Sequence, residues 1–149
     1  MRTYSIHLFV VIAAGILMLS LPISTARITA SGFEETKKRV IEISAFEKTE
    51  ILPEGNQDAG RNILLPVSII LTILNSLVIM ILKNNSARAK LCGLNYVFIC
   101  ASIILVFYYC DFQTSLKNIL VTSDYHLGAM MPFIQLLFNF GALRKIRRG

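Results

Sequence analysis

The chain has 149 residues, one domain's worth, and only 16% of them are charged, against about 25% in an ordinary soluble domain. A mean hydropathy of +0.61, with the charges gathered in blocks between long uncharged stretches, excludes a water-soluble core of the usual kind. The net charge of +6 does not point to nucleic acid, because the positive excess lies beside apolar runs, where the positive-inside rule accounts for it, and no recognised binding module accompanies it.

The first apolar stretch runs over residues 6–23, and two readings compete for it. One is a retained transmembrane helix. The other is a cleaved signal peptide with Ser24-Thr25-Ala26 as a small-residue cleavage site. The run is longer than the usual apolar region of a signal, about 7–15 residues, which favours the retained span. The sequence leaves open whether residues 1–26 are processed. Gly15, after Ala13 and Ala14, marks a place for close helix approach.

Residues 24–62 form an outer loop with six Lys or Arg and seven Asp or Glu. Arg39 to Phe46 is rich in β-branched and aromatic residues. Ala26 to Ala30 is its candidate partner strand, with a turn beginning at Ser31-Gly32. A β-hairpin resting on the helices follows from this pattern, since a hairpin alone is marginal in water. Pro53 to Gly60 reads as a turn-rich return to the membrane.

Residues 63–82 and 91–110 are uncharged runs of the length, about 20 residues, that crosses a bilayer core. They read as a transmembrane hairpin joined by the basic loop Lys83 to Lys90. On the first of them Ser68, Thr72, Asn75 and Ser76 share one helical face. Asn75 is placed near the bilayer midplane, so its amide should face the bundle interior and hydrogen-bond there. Asn84-Asn85-Ser86 matches a glycosylation sequon but lies hard against the predicted cytoplasmic side, and is read as a chance match. Tyr108 and Tyr109 are interfacial anchors. Phe112 to His126 is a mixed connection with a short interfacial helix expected around Leu116 to Val121. The fourth span is 127–143, where Gly128, Pro132, Gln135 and Asn139 share a face that is expected to meet the polar stripe of the second span. The fold class is therefore an all-α integral membrane protein, a four-transmembrane-helix bundle in one domain (residues 1–149) with a small extracytoplasmic segment.

Charge sets the orientation. The N-terminal segment, the 83–90 loop and the tail together hold eight basic residues and no acid, whereas the two other segments hold seven basic and nine acidic residues. Both termini are thus expected in the cytoplasm. Lys83, Arg88, Lys90, Arg144, Lys145, Arg147 and Arg148 are read as the topology-setting residues. The tail Arg144 to Arg148 is read mainly as a stop-transfer anchor, the other reading being a dock for anionic lipid or an acidic partner.

The residues of reactive chemistry do not fall together. Cys92, Cys100 and Cys110 lie in or beside one predicted helix. Cys92 and Cys100 are about 12 Å apart along it, and Cys100 and Cys110 about 15 Å, too far for a disulfide. They read as small apolar residues. His7 and His126 lie on opposite sides of a core about 30 Å thick, so they cannot ligate one haem. The spans lack the intramembrane charge of a proton-coupled exporter. There is no HExxH, GxSxG or phosphate-cradling glycine loop. No cofactor, metal or catalytic residue is expected, and the protein is read as no enzyme.

Two stretches carry a family resemblance. Ala87 to Asn95 (ARAKLCGLN) runs from a basic loop into a Leu-Cys-x-Leu-Asn start of the third span. Gly128 to Arg147 (GAMMPFIQLLFNFGALRKIR) has a Gly and Pro opening, Asn139, and a basic exit. Together they resemble the uncharacterised four-span bacterial membrane proteins called Domain of Unknown Function 4293, found mainly in Bacteroidetes, although Met1 to Ser5 lacks the polar opening usual there. The resemblance implies the four-span architecture and an inner-membrane address, and no catalytic residues. The leading expectation is a non-enzymatic accessory or assembly protein whose partners are the bilayer and another membrane protein or a second copy of itself. The alternative is a carrier of an apolar or neutral small molecule or lipid, using Thr72, Asn75, Ser76, Gln135 and Asn139.

Overall fold

The computed structural model describes residues 3–31, 36–52, 55–61, 63–108 and 119–148. Four helices, α1 (Thr3–Ser20), α2 (Leu64–Ile81), α3 (Asn85–Phe107) and α4 (Leu127–Arg148), are each long and apolar enough to cross a membrane. They pack in a ring in which α1 meets α2, α2 meets α3, α3 meets α4, and α4 closes on α1 in the most extensive helix pair. The bundle buries polar side chains among its apolar core and turns large apolar side chains outward. Thr72, Ser76, Asn95, Gln135 and Asn139 are fully buried, while Val97 and Leu137 are 61% and 68% exposed. Water would reject that arrangement and a bilayer demands it, because lipid cannot satisfy a side-chain amide.

Two of the helices, α3 and α4, run past the apolar stretches that announce them. α3 begins at Asn85, so the connection between the second and third spans is only residues 82–84, and Arg88 and Lys90 sit on helix instead of loop. Asn84 makes this start: its side chain accepts a hydrogen bond from the Ser86 amide at 2.9 Å, capping an otherwise unpaired N–H. α4 continues through the basic tail to Arg148, because charged side chains at a helix end can reach the interface without breaking the helix. Pro66 is the third residue of α2, where its missing N–H removes no helical bond.

The segment between the first and second helices is part of something larger than a hairpin. The expected pairing is present, with β1 (Ser24–Ser31) antiparallel to β2 (Thr36–Ile43) and Ala26 opposite Ile41. It is the centre of a five-stranded antiparallel sheet of order β4-β3-β2-β1-β5, with β3 (Glu47–Leu52), β4 (Gly55–Arg61) and β5 (Ile119–Tyr125). Ser44 closes the β2–β3 turn, its amide bonding the Glu47 carbonyl at 2.9 Å and its hydroxyl accepting from the Glu47 amide at 3.2 Å.

Two expectations for this region are corrected. Residues 55–60, expected as part of a turn-rich return, belong to β4, a polar edge strand reached through Gly55 at φ 142°; positive φ there suits glycine. Residues 119–121, expected in an interfacial helix, belong to β5, while residues 116–118 lie outside the described ones. The segment ILVTSDY is rich in β-branched residues, and β1 offers it an open edge, with Ile28 opposite Val121. Pairing with a strand far away in sequence outweighs a local helical preference.

The sheet is seated on the bundle. Ile23, Ile41, Ile43 and Ala45 join Met18, Leu65, Ile69, Val106 and Ala129 in one buried cluster. Ile23 is the joint: its amide bonds the Ile43 carbonyl at 2.8 Å and its carbonyl accepts from the His126 amide at 2.9 Å. His126 is also tied to Thr25 by a 2.6 Å side-chain contact. Ser24 and Thr25, the candidate cleavage positions, therefore sit in a central strand directly after α1. A second cluster, Tyr4, Leu8, Ile79, Cys92, Ala142 and Ile146, fills the opposite end. The start of α1 and the end of α4 thus lie together, as an even number of spans requires.

Candidate functional site

The interior polar residues form a ladder of hydrogen bonds. Nearest the sheet, the Ser68 and Ser102 hydroxyls meet at 2.9 Å. Thr72 and Ser76 donate to the carbonyls one turn back, Ser68 and Thr72, at 2.9 and 2.8 Å. These bonds satisfy the hydroxyls within their own helix.

The amides do more, because they cross between helices. Asn95 of α3 is the hub. It accepts from the Asn75 amide at 2.6 Å and donates to Ser76 Oγ at 3.0 Å and to Asn139 Oδ1 at 3.4 Å. Asn75 also donates to the Leu91 carbonyl at 2.8 Å, and Asn139 to the Cys92 carbonyl at 3.1 Å. Gln135 reaches the other way, donating to the Val11 carbonyl of α1 at 3.0 Å; its Oε1 has no partner among the described residues.

Each interior residue expected from the sequence is therefore inside: Thr72, Ser76, Gln135 and Asn139 fully buried and Asn75 partly so. Gly128 and Pro132 of the α4 stripe are buried as well. The stripes of α2 and α4 share an interior, but the hydrogen bonding between them passes through Asn95. Sequence reasoning did not single out that residue as a site. The signal was available: Arg88, Cys92, Asn95, Ile99, Ser102 and Val106, the buried residues of α3, recur every third or fourth position.

Among the basic residues, Arg88 stands apart. Lys83, Lys90, Arg144, Lys145, Arg147 and Arg148 are exposed, whereas Arg88 is 3% exposed. Its guanidinium donates to Asn85 Oδ1 at 2.8 Å and to the Leu82 carbonyl, and lies 4.9 Å over the Tyr4 ring. It ties α1 to the α2–α3 connection as well as carrying charge.

Neither of two cavities in the bundle is lined by these interior amides. One, of about 180 Å³, is apolar. It lies where α3 and α4 approach the sheet, among Ile103, Val106, Phe107, Tyr125, Ala129 and Phe133, and Phe107 and Tyr125 meet edge to face across it at 6.0 Å. The other, of about 410 Å³, is polar and lies at the end holding the helix termini, beside Arg88. Cys92 and Cys100 are both free thiols, the first buried and the second facing outward, and Cys110 lies outside the described residues. Among the described residues no three His, Cys, Asp or Glu side chains gather as a metal site would need.

The family model described as "Domain of unknown function (DUF4293)" matches residues 1–148. No curated protein matches the chain.

Proposed function

The chain belongs to the DUF4293 family, and on that premise we propose that it is a non-enzymatic accessory or assembly protein of the bacterial inner membrane, working through helix contacts and its outer sheet. The observation that carries the reading is the closed interior. The amides of Asn75, Asn95, Gln135 and Asn139 bond one another and helix carbonyls, so their donors hold helices together instead of facing a substrate. The sheet supports the same reading, since among the described residues β4 and β5 each have a neighbouring strand on one side only, and such an edge can accept a partner's strand.

The test is purification of a C-terminally tagged chain in mild detergent, followed by mass spectrometry of intact subunits. A stoichiometric protein partner is expected. Recovery of the chain alone, without partner or second copy, would overturn the reading. The same spectrum reports whether residues 1–26 remain; their retention is supported by the packing of α1 against both α2 and α4.

The second reading, a binder of an apolar small molecule or lipid, is favoured by the apolar cavity between α3 and α4. On this reading such a ligand would lie beside Phe107 and Phe133 and away from the interior amides. A bound apolar molecule lost on Ala129→Phe substitution would support it.

For orientation we infer cytoplasmic termini from the charge asymmetry. In a cysteine-free background, Glu42→Cys should react with a membrane-impermeant maleimide in intact spheroplasts, and Lys90→Cys only after permeabilisation. The opposite pattern would place the sheet in the cytoplasm.

A further inference from the structure

We propose that the cavity at the end of the bundle holding the helix termini is a binding site for a phosphate group, formed by Lys83, Arg88 and Lys145. The inference does not depend on the assembly reading above. Three elements bring these residues together: the α2–α3 connection gives Lys83, the first turns of α3 give Arg88, and the last turn of α4 gives Lys145. With Thr3, Tyr4 and Asn85 they line a cavity of about 410 Å³, room for a phosphate and what it is esterified to.

Among the described residues that line the cavity there is no anion. Arg88 is 3% exposed, and a buried guanidinium normally has a carboxylate partner, because an uncompensated buried charge is strongly unfavourable. No Asp or Glu occurs anywhere in residues 63–108 or 127–149. The Leu82 carbonyl, the Asn85 amide and the Tyr4 ring stabilise the cation with dipoles and a ring face, and Arg88 Nε is buried without a hydrogen-bond partner among the described residues. Two exposed lysines at the rim add positive charge instead of cancelling it. A neutral ligand would leave all three charges uncompensated, whereas a phosphate offers several acceptor oxygens to the guanidinium and lysines together. The start of α3, with its partial positive charge, is at the same place.

Such a phosphate could belong to an anionic lipid headgroup or to a soluble compound, and the experiment separates the two. The full chain is purified in neutral detergent and stripped of lipid. Phosphatidylglycerol or phosphatidylcholine is added and bound lipid counted by native mass spectrometry. In parallel, inorganic phosphate is titrated against thermal stability, with chloride at equal ionic strength as control. The test variant is Lys83→Gln/Lys145→Gln, which alters only exposed side chains and leaves the packed Arg88 in place. The control variant is Arg144→Gln/Arg147→Gln, which removes the same charge from the same end but from residues that do not line the cavity.

Saturable binding of one phosphatidylglycerol, weakened about tenfold or more in the test variant and retained in the control, assigns the site to a lipid headgroup. Saturable stabilisation by inorganic phosphate with the same dependence on the variants assigns it to a soluble phosphate. Both results support the proposal. Binding of neither probe overturns it. So does equal weakening in both variants, which would make the effect a diffuse surface field.

Discussion

Asn95→Ala is expected to destabilise the bundle more than any other single interior amide substitution, by about 2–3 kcal/mol. The reason is connectivity. Asn75 loses its 2.6 Å acceptor but keeps the Leu91 carbonyl. Asn139 keeps its bond to the Cys92 carbonyl, but its own oxygen loses the Asn95 donor. Ser76 keeps its intrahelical bond and loses the one that crosses to α3. One truncation therefore removes interhelical bonds to three partners, each worth about 0.6 kcal/mol on average in a membrane, and leaves polar atoms facing a void. Asn75→Ala and Asn139→Ala should each fall nearer 1 kcal/mol by the same reasoning. Unfolding of the detergent-purified variants, followed by circular dichroism against added sodium dodecyl sulfate, measures the order. If Asn95→Ala unfolds no earlier than the lipid-facing Val97→Ala, the polar ladder contributes nothing to stability. A double-mutant cycle sharpens the test, since the short Asn75–Asn95 contact should couple more strongly than the 3.4 Å Asn95–Asn139 contact.

What the sequence made legible was whatever depended on a period or a count. Four apolar runs gave four helices. The i, i+4, i+7, i+11 spacing of Gly128, Pro132, Gln135 and Asn139 placed all of them inside, because a helical face is fixed by geometry before any partner is known. The β-branched residues after Arg39, with Ala26 to Ala30 as the candidate partner strand, gave the β1–β2 pair. Gly15 was legible as a close-approach position, and a Cβ there would come within 2.9 Å of an Ile73 side-chain carbon and 3.0 Å of Gln135 Nε2.

What was not legible depended on where elements begin and on partners distant in the chain. Arg88 looked like a loop charge because the apolar run starts at Leu91. Once α3 begins at Asn85, the same residue falls on the buried face it shares with Cys92 and Asn95, and it packs as well as carrying charge. β5 is read from its own residues as an interfacial segment. It becomes a strand because β1 has an unpaired edge, and that edge is supplied by a segment on the far side of two membrane spans. The basic cavity escaped for the same reason, since Lys83, Arg88 and Lys145 are neighbours only after α4 has folded back against α1.

The joint between bundle and sheet supplies the other large effect. Gly128→Ala is expected to destabilise by about 1–3 kcal/mol, the usual range for overpacking a tight contact. A methyl at this position would sit 2.7 Å from the Pro22 carbonyl oxygen and 3.2 Å from its carbon. A flexible side chain could move aside, but this neighbour is backbone, and the residue that follows it is held on both sides: Ile23 donates to Ile43 and accepts from His126. Relief must come from lifting the start of α4, which would disturb Ala129 and Met131 in the cluster beneath the sheet. Gly93 of α3 provides the control. It is exposed, and a Cβ there meets nothing within 4 Å, so Gly93→Ala should be neutral or stabilising by up to about 1 kcal/mol through helix propensity. Gly15→Ala should lie between the two, because the Ile73 and Gln135 side chains it meets can yield. The same detergent unfolding experiment ranks all three. Equal stability of Gly128→Ala and Gly93→Ala would show that α4 and the Pro22 segment do not touch as closely as the fold requires. A selective loss in Gly128→Ala, with the sheet becoming protease-sensitive before the helices unfold, would establish this glycine as the point where the sheet is fastened to the membrane bundle.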